Sequence, residues 1–331
     1  LLWVGGGARG AAEAVERLAN LGWAVVSSVQ GRGVLREDHP MSLGSYNLQK
    51  PAEAFYSGLD ALLTVGTRLR SNETLTYQLK LPQPHYRIDA NALVENRAYP
   101  SELFVHGDAA LSLHALADRL EGHMQIDPKL ATDVRQARRA CEAVVDHALG
   151  PYLALKDAVS EVAGPAIWWV RDITLSNTMW GNRAPVLNHP RSGVHALGGG
   201  IGQGLAMGIG AAMADSQHQL GRPTLALCGD GGFMLNLGEL ACAVQEQANV
   251  LFIVMNDRQY GVIKNIQDDI YGSRHCYVDL HTPDFAQLCQ SMKVPHARSC
   301  GPDDVRAQLQ SLMSIQGPRV LEVDMAHWGP F

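Results

Sequence analysis

Short apolar runs alternate with helical segments along most of this 331-residue chain. "LLWVGG" is followed by "AAEAVERLANLG", and "TLALCGD", "NLGELACAVQEQ" and "NVLFIVMND" repeat the pattern in the second half. Strands that run in one direction and are joined by helical crossovers form parallel sheets with helices on both faces. The sequence therefore predicts an α/β protein built from two doubly wound parallel sheets.

A charged, weakly apolar stretch separates the two halves of this pattern. It contains "DPKLATDVRQARRACEAVVDHALG", which is typical of an amphipathic helical connector. We therefore predict a first domain over residues 1–123, a helical linker over 124–151 and a second domain over 152–331. The chain opens on "LLWVGGG" with a strand already under way, so we expect it to be a piece of a longer polypeptide.

The composition favours a small-molecule ligand. The formal net charge is −6 and no sustained basic run occurs, which disfavours nucleic acid and acidic membrane surfaces as partners. Six cysteines without CxxC spacing predict neither a zinc site nor a disulfide framework, so we expect buried free thiols in a reducing, cytoplasmic compartment. No apolar run approaches the roughly 20 residues needed to cross a bilayer.

Two acidic residues follow neighbouring apolar strands of the second half. Asp230 follows "TLALCG" and Asp257 follows "VLFIVMN", and the carboxyl ends of parallel strands are where open α/β sheets bind ligands. Gly229, Gly231 and Gly232 permit a tight turn and a close approach, and a helix beginning after Gly232 would direct free N–H groups at an anion. Because Mg²⁺ prefers carboxylate and phosphate oxygens, the sequence predicts a site for Mg²⁺ with a phosphate or diphosphate.

Structural interpretations of the same residues remain open. "GDGG" is also compatible with a plain tight turn, and Asp257 with a helix cap. The glycine-rich segment "HALGGGIGQGLAMGIGAAMA" (195–214) is equally compatible with a closely packed pair of helices.

The spacing of the acidic motifs resembles the signature of thiamine diphosphate enzymes. In that family a GDG, here residues 229–231, is followed after a gap such as the 24 residues found here by a paired Asn, here Asn256 and Asp257. The resemblance implies that Asp230, Asp257 and the backbone carbonyl of Gln259 hold Mg²⁺, with the cofactor diphosphate completing the octahedron. An Asp stands at 257 where the family carries Asn, and both side chains offer an oxygen ligand.

The glycine-rich segment is similar to the "GG-apolar-G" segment of the same family. Ile201 falls where a bulky apolar side chain props the cofactor into a V shape, a catalytic positioning role that brings its amino group against its reactive carbon. "RDITLSNTMWGN" is similar to a segment that holds the diphosphate, and a polar loop between strand and helix is its other interpretation. The candidates for the substrate pocket are Tyr260, Val262, Ile263 and Ile266, of which the last three are also compatible with a buried apolar helix face. The predicted cofactor-binding set is Ser176, Asn177, Gly200, Ile201, Gly229, Asp230, Gly231, Gly232, Asp257, Tyr260 and Gly261.

The first half carries a second glycine motif, "VGGGARG", which matches GxGxxG over Gly5, Gly7 and Gly10. A dinucleotide site also needs an acid near the end of the second strand, and "VVSSVQGRG" has none. The half instead resembles the Rossmann-like central domain of acetolactate-synthase-like proteins, which binds FAD or a nucleotide in some members. His39 and Arg68 are candidate contacts for such a ligand, and a capped turn at "EDHP" is the other interpretation of His39.

The resemblance extends over the whole chain and implies a thiamine diphosphate- and Mg²⁺-dependent decarboxylase or carboligase acting on 2-oxo acids, similar to acetolactate synthase and benzoylformate decarboxylase. Such enzymes also have an N-terminal pyrimidine-binding domain, which supplies a catalytic Glu and which this sequence lacks. Their sites lie between subunits, so a homodimer or homotetramer is expected. The alternatives are a nucleotide-binding oxidoreductase that uses "VGGGARG" and a non-catalytic relative without the pyrimidine domain.

Overall fold

The computed structural model describes residues 1–164 and 166–329, which form two compact units. The first comprises Leu1–His147 and Val186–Gly193, and the second comprises the described residues of Ala148–Pro185 and Val194–Phe331. No helix in the described ranges is both long and apolar enough to span a membrane. The domain bounds predicted above stay a proposal, since the first unit here also takes in a short segment from the second half of the chain.

The first unit is built on a five-stranded sheet in the order β2-β1-β3-β4-β5. Each neighbouring pair in this order runs parallel. The strands are β1 (Leu2–Val4), β2 (Val25–Ser27), β3 (Leu62–Val65), β4 (His85–Asp89) and β5 (Leu103–His106), and the helices are α1 (Ala12–Asn20), α2 (Lys50–Tyr56), α3 (Ala109–Leu120) and α4 (Leu130–Leu149).

Helical spacing of apolar side chains explains how α1 covers this sheet. Ala14, Val15, Leu18 and Ala19 are buried on one side of the helix, which is the i, i+3, i+4 pattern of an amphipathic helix. They share a core with residues of the central strands, among them Val65. Because β1 and β3 are buried along their whole length, their sequences are apolar rather than alternating.

The 186–193 segment is attached to the first unit through a buried ion pair. The guanidinium of Arg32 donates two hydrogen bonds of 2.7 Å to the carboxylate of Glu37, and both side chains are almost fully buried. The same carboxylate accepts the backbone N–H of Leu187 at 2.8 Å. A buried ion pair is tolerated only when its remaining hydrogen-bonding groups are satisfied, and Leu187 meets that need.

The second unit contains a six-stranded sheet in the order β10-β11-β9-β8-β6-β7. Strand β8 pairs parallel with β6 and β9, and β11 pairs parallel with β9 and β10. The strands are β6 (Trp168–Arg171), β7 (Gly193–His195), β8 (Thr224–Gly229), β9 (Val250–Asn256), β10 (His296–Ser299) and β11 (Arg319–Asp324). The helices are α5 (Leu153–Ala163), α6 (Gln203–His218), α7 (Asp230–Leu235), α8 (Glu239–Gln245), α9 (Gly261–Tyr271), α10 (Phe285–Ser291), α11 (Val305–Met313) and α12 (Met325–Trp328). The predicted fold class, two α/β domains with parallel sheets, is confirmed.

The register of β8 and β9 places the two predicted acids at one edge of this sheet. Gly229 lies opposite Met255 in the ladder, so Asp230 and Asp257 both emerge just past the last paired residues. β9 is buried throughout, as expected for a central strand covered on both faces.

The crossover between these strands differs from the prediction. We expected a helix beginning after Gly232, but α7 already begins at Asp230, and a second short helix, α8, follows it. Gly231 and Gly232 are therefore helical, and close packing rather than a special turn requires glycine there. A Cβ at Gly231 would lie 2.7 Å from the ring of Tyr260, and one at Gly232 would lie 2.8 Å from a carboxylate oxygen of Asp172.

Candidate active site

A cavity of about 490 Å³ opens at the carboxyl edge of the second unit's sheet. This volume lies in the range of sites that hold small molecules and cofactors. The cavity gathers predicted residues from four separate segments. Those that line it are Ser176, Gly200, Ile201, Gly229, Asp230, Gly231, Gly232, Asp257, Gln259, Tyr260, Gly261, Val262 and Ile263.

The polar end of the cavity is formed by the carboxyl groups of Asp230 and Asp257, which lie within hydrogen-bonding reach of each other. Asp230 is only 2% exposed, and it accepts the backbone N–H groups of Gly231 at 2.7 Å and Arg258 at 2.8 Å. Asp257 accepts the backbone N–H of Gln259 at 3.1 Å. The two side chains therefore converge on one point, as a shared cation requires.

Burial and mutual repulsion make this pair hard to ionise fully. Burial, followed by the neighbouring charge of Asp257, raises the pKa of Asp230 from 3.8 to about 7, against the opposing effect of two backbone N–H groups. Burial also raises the pKa of Asp257. Two buried carboxylates at such close range hold a proton between them unless a cation replaces it.

The same cavity offers a third oxygen, the backbone carbonyl of Gln259. The loop after Asp257 pairs with residues 278–280 through the Arg258 carbonyl and the Tyr260 N–H. This pairing leaves the carbonyl of Gln259 without a hydrogen-bond donor among the described residues, and Gln259 lines the cavity. A carbonyl that accepts no hydrogen bond, in a cavity that also contains two carboxyl groups, can serve as a ligand to a metal ion.

The glycine-rich loop before α6 forms another part of the cavity wall, through Gly199, Gly200 and Ile201. Gly198 and Gly199 adopt positive φ angles of 70° and 76°, and Gly202 adopts 92°, which favour glycine. The side chain of Gln203 ties the loop to the helix, because its amide exchanges hydrogen bonds with both backbone groups of Leu197. Ile201 is 37% exposed on this wall, so a bulky apolar side chain is presented toward the open volume.

Some predicted residues are not brought into the cavity. Ser176 lines it, but Asn177 does not, because its side chain is buried against Gly181 within the π-helical turn Asn177–Gly181. Asn256, which the resemblance places behind the metal ligands rather than among them, is buried and donates to Glu322 at 2.7 Å. Ile266 is exposed on α9 outside the lining residues.

The sequence reasoning missed Asp172, which follows strand β6 as Asp230 follows β8 and Asp257 follows β9. It is fully buried and accepts hydrogen bonds from the backbone N–H groups of Ile173, Gly202 and Gly204. Burial raises the pKa of Asp172, and those backbone donors oppose the rise. Its position directly after an apolar strand is the signal that could have found it.

Backbone N–H groups of the glycine motif in the first unit already donate to carbonyl groups of the same unit. The N–H of Gly5 donates to Val65, that of Gly7 donates to Gly66, and that of Ala8 donates to Gly5. A Cβ at Gly7 would lie 2.8 Å from the Cα of Gly66. These glycines serve close backbone packing, and three of the amides that could cradle a phosphate are already used.

The two residues predicted to contact a nucleotide in the first unit, Arg68 and His39, do not line the same cavity. Arg68 lines a cavity of about 240 Å³ together with Asp89 and Asp108. His39 accepts the N–H of Met41 in the predicted turn and does not line that cavity. FAD binding by this unit stays a prediction.

A second cluster of metal-ligating residue types, Cys300, Asp324 and His327, lies at the end of β11. Asp324 there accepts hydrogen bonds from the guanidinium of Arg298 and from Nδ1 of His327. The guanidinium of Arg298 already neutralises this carboxylate, so the charge of the cluster disfavours a metal ion.

All six cysteines are free thiols, of which Cys242, Cys276 and Cys300 are exposed. The expectation that the cysteines are buried therefore holds for only half of them.

Comparison with known proteins agrees with this geometry. Residues 1–116 match the family model for the central domain of thiamine pyrophosphate enzymes, and residues 176–323 match that for their C-terminal TPP binding domain. A probable 2-ketoarginine decarboxylase of Pseudomonas aeruginosa is 31% identical over 330 residues, which are 98% of this chain and 57% of that protein. A probable acetolactate synthase large subunit of Methanococcus aeolicus is 25% identical over 321 residues, covering 90% of this chain and 53% of that protein. Acetolactate synthase 1 of Nicotiana tabacum is 27% identical over 359 residues, covering 99% and 51% respectively.

The chain spans about half the length of the curated relatives it matches. Within that span, the two matched domains correspond to the two halves of the chain, and the second contains the cavity with its paired carboxyl groups. The chain therefore belongs to the thiamine pyrophosphate enzyme family, of which it carries the central and the C-terminal cofactor-binding domains.

Proposed function

We propose that this chain is the part of a 2-oxo acid decarboxylase or carboligase that binds Mg²⁺ and thiamine diphosphate. The observation that carries the proposal is the pair of carboxyl groups of buried Asp230 and half-buried Asp257, which converge at one end of the 490 Å³ cavity. Both pKa values are raised, so the pair holds protons more tightly than free carboxyl groups do, and a divalent cation would offset this effect.

The donor set fits Mg²⁺ in number and kind. Asp230 and Asp257 offer carboxylate oxygens, and Gln259 offers a carbonyl with no donor of its own among the described residues. Mg²⁺ favours a few hard oxygens from the protein and takes its remaining ligands from phosphate and water. This arrangement supports a role in which the metal anchors a diphosphate rather than acting alone.

The rest of the cavity fits the organic part of the cofactor. Its walls include the apolar side chains of Ile173, Leu175, Ile201, Val262 and Ile263. An apolar volume with one charged end suits a molecule that has aromatic rings and an anionic tail. We assign Ile201 as the side chain that lies against the rings and Ser176 as a contact of the diphosphate.

Thiamine diphosphate, when bound, supplies a nucleophilic ring carbon and an electron sink for the loss of carbon dioxide. The protein residues have the remaining tasks. Asp230 and Asp257 would hold Mg²⁺, which anchors the anionic end, Ile201 would restrict the ring conformation, and the apolar wall would keep water from the reacting carbon.

The nature of the substrate and the assembly belong to the same proposal. Relatives described as a 2-ketoarginine decarboxylase and as acetolactate synthases support a 2-oxo acid substrate. The resemblance to enzymes whose sites lie between subunits supports a homodimer or homotetramer, and the composition supports a cytoplasmic protein. Sedimentation of the chain with and without the cofactor tests the assembly.

Isothermal titration with thiamine diphosphate and Mg²⁺, compared with NADH and with FAD, tests the function. We expect Mg²⁺-dependent binding of thiamine diphosphate that Asp230→Ala abolishes while the fold is retained. Asp303→Ala, a change at an exposed acid of the same unit outside the cavity, is the matched control and should bind as the unaltered protein does. Retained binding in Asp230→Ala, or binding of NADH alone, would reject the proposal.

A further inference from the structure

Asp172 connects three parts of the candidate active site. Its Oδ1 accepts the N–H of Ile173 at 2.8 Å, and its Oδ2 accepts the N–H groups of Gly202 at 3.0 Å and Gly204 at 3.1 Å. The same Oδ2 packs so closely on the α7 turn that a Cβ at Gly232 would lie 2.8 Å away. One carboxylate therefore contacts the end of β6, the start of α6 and the turn beside Asp230.

The start of α6 depends on this contact. The first N–H groups of a helix have no partner within the helix, and the residue before α6 is Gly202, which has no side chain to cap them. Asp172 provides the cap from another strand, with a negative charge at the positive end of a 16-residue helix. Because Asp172 is fully buried, leaving one of these N–H groups without its acceptor would incur the free-energy cost of desolvating an unpaired donor.

Asp172 also acts on Ile201. The Gly202 N–H that Asp172 accepts belongs to the peptide bond that joins Ile201 to Gly202. The Gly202 carbonyl is fixed in turn by the side-chain amide of Asn236. The Ile201 side chain is held at its place on the cavity wall through its backbone, since that side chain itself is 37% exposed.

We propose that Asp172 is a positioning residue that sets the distance between Ile201 and the metal-binding end of the cavity. The inference rests on the proposed function, because Ile201 has a partner only when the cofactor rings are bound. Asp172 affects the contact between the protein and the cofactor rings, whereas Asp230 and Asp257 determine whether the diphosphate binds.

Titrations of the chain with two ligands test this distinction. Mg²⁺ with thiamine diphosphate probes both ends of the cavity, and Mg²⁺ with inorganic pyrophosphate probes only the metal end. In Asp172→Asn, a single amide oxygen must accept hydrogen bonds from three N–H groups, which the two carboxylate oxygens of Asp172 share in the unaltered protein. We expect the dissociation constant for thiamine diphosphate to rise about tenfold, as for a misplaced apolar contact, and that for pyrophosphate to change less than about threefold.

A double-mutant cycle with Ile201→Ala separates positioning from general stabilisation. If Asp172 acts through Ile201, the double variant should bind thiamine diphosphate about as weakly as either single variant. Asn236→Ala is the second variant; its side chain is exposed, so folding tolerates its loss. The change releases the next peptide along the loop, Gly202–Gln203, whose carbonyl the Asn236 amide holds. Asn236→Ala should likewise weaken the binding of thiamine diphosphate more than the binding of pyrophosphate.

The outcomes are distinct. Equal loss of both ligands in Asp172→Asn and Asn236→Ala, or losses that multiply to about a hundredfold in the double variant, would overturn the positioning role while the proposed function stands. Absence of thiamine diphosphate binding in the unaltered protein would overturn the proposed function and this inference with it.

Discussion

Replacing Asp230 by Asn should stabilise the metal-free protein at high pH. The pKa of Asp230 is raised from 3.8 to about 7 by burial and then by Asp257. A carboxyl whose pKa rises this much on folding opposes folding above pH 7 by about 4 kcal/mol. The amide has no charge to bury, so the variant escapes this penalty.

The substitution also removes a hydrogen-bond acceptor. The two oxygens of Asp230 serve the N–H groups of Gly231 and Arg258 separately, and an amide has one oxygen. One N–H therefore loses its acceptor, which costs about 1–3 kcal/mol. The net expectation is that Asp230→Asn raises the free energy of unfolding by about 1–3 kcal/mol at pH 8.

The sign of the pH dependence follows from the direction of the shift. A carboxyl with a raised pKa stabilises the fold most below its unfolded-state pKa, and this contribution is lost as the pH rises towards about 7. The penalty in the unaltered protein thus falls to under about 2 kcal/mol at pH 5. The advantage of Asp230→Asn should shrink by about 2–3 kcal/mol between pH 8 and pH 5.

Urea unfolding of the metal-free protein at several pH values measures this difference. Asp324→Asn is the matched control at the end of β11, a strand of the same sheet. Burial raises the pKa of Asp324, but hydrogen bonds from Arg298 and His327 outweigh this effect and hold that pKa below its usual value. Removing the charge of Asp324 should therefore lower the free energy of unfolding at pH 8. An Asp230→Asn variant that is destabilised equally at pH 5 and pH 8 would refute the reasoning.

Three further substitutions test the surroundings of the metal site. Asp257→Asn should keep the binding of Mg²⁺ and thiamine diphosphate within about tenfold in titrations, because an amide oxygen also ligates Mg²⁺, and it should lower the pKa of Asp230 by removing a like charge. Gly261→Ala would place a Cβ 2.7 Å from Oδ2 of Asp257 and should weaken that binding at least about tenfold, whereas Gly210→Ala, whose Cβ meets nothing within 4 Å, should not. Gly202→Ala forces a side chain into φ 92° and should lower the free energy of unfolding by about 1–3 kcal/mol in urea.

Sequence spacing was enough to find the two residues on which the proposed metal site depends. Asp230 and Asp257 each follow a continuous apolar run, and parallel strands bring such positions to one edge whatever the details of packing. The same rule applied to "AIWWVRD" would have found Asp172. It was missed because the sequence resemblance drew attention to Ser176 and Asn177 further along the segment.

Several features of the site had no signal along the chain. Gly231 and Gly232 look like turn residues, but they lie in helix α7, and glycine is required there because the Tyr260 ring and the Asp172 carboxylate occupy the space of a Cβ. Asn177 looks like a diphosphate contact, but its side chain packs against Gly181 instead.

The sequence by itself determined the parallel α/β architecture and the edge at which the acids lie, because strand periodicity and crossover length are local properties of the chain. Only the tertiary structure decided that the pKa values of the two carboxyl groups are raised and that one buried carboxylate caps the helix behind Ile201. Desolvation and close contact depend on segments that lie far apart in the chain, so no pattern of neighbouring residues encodes them.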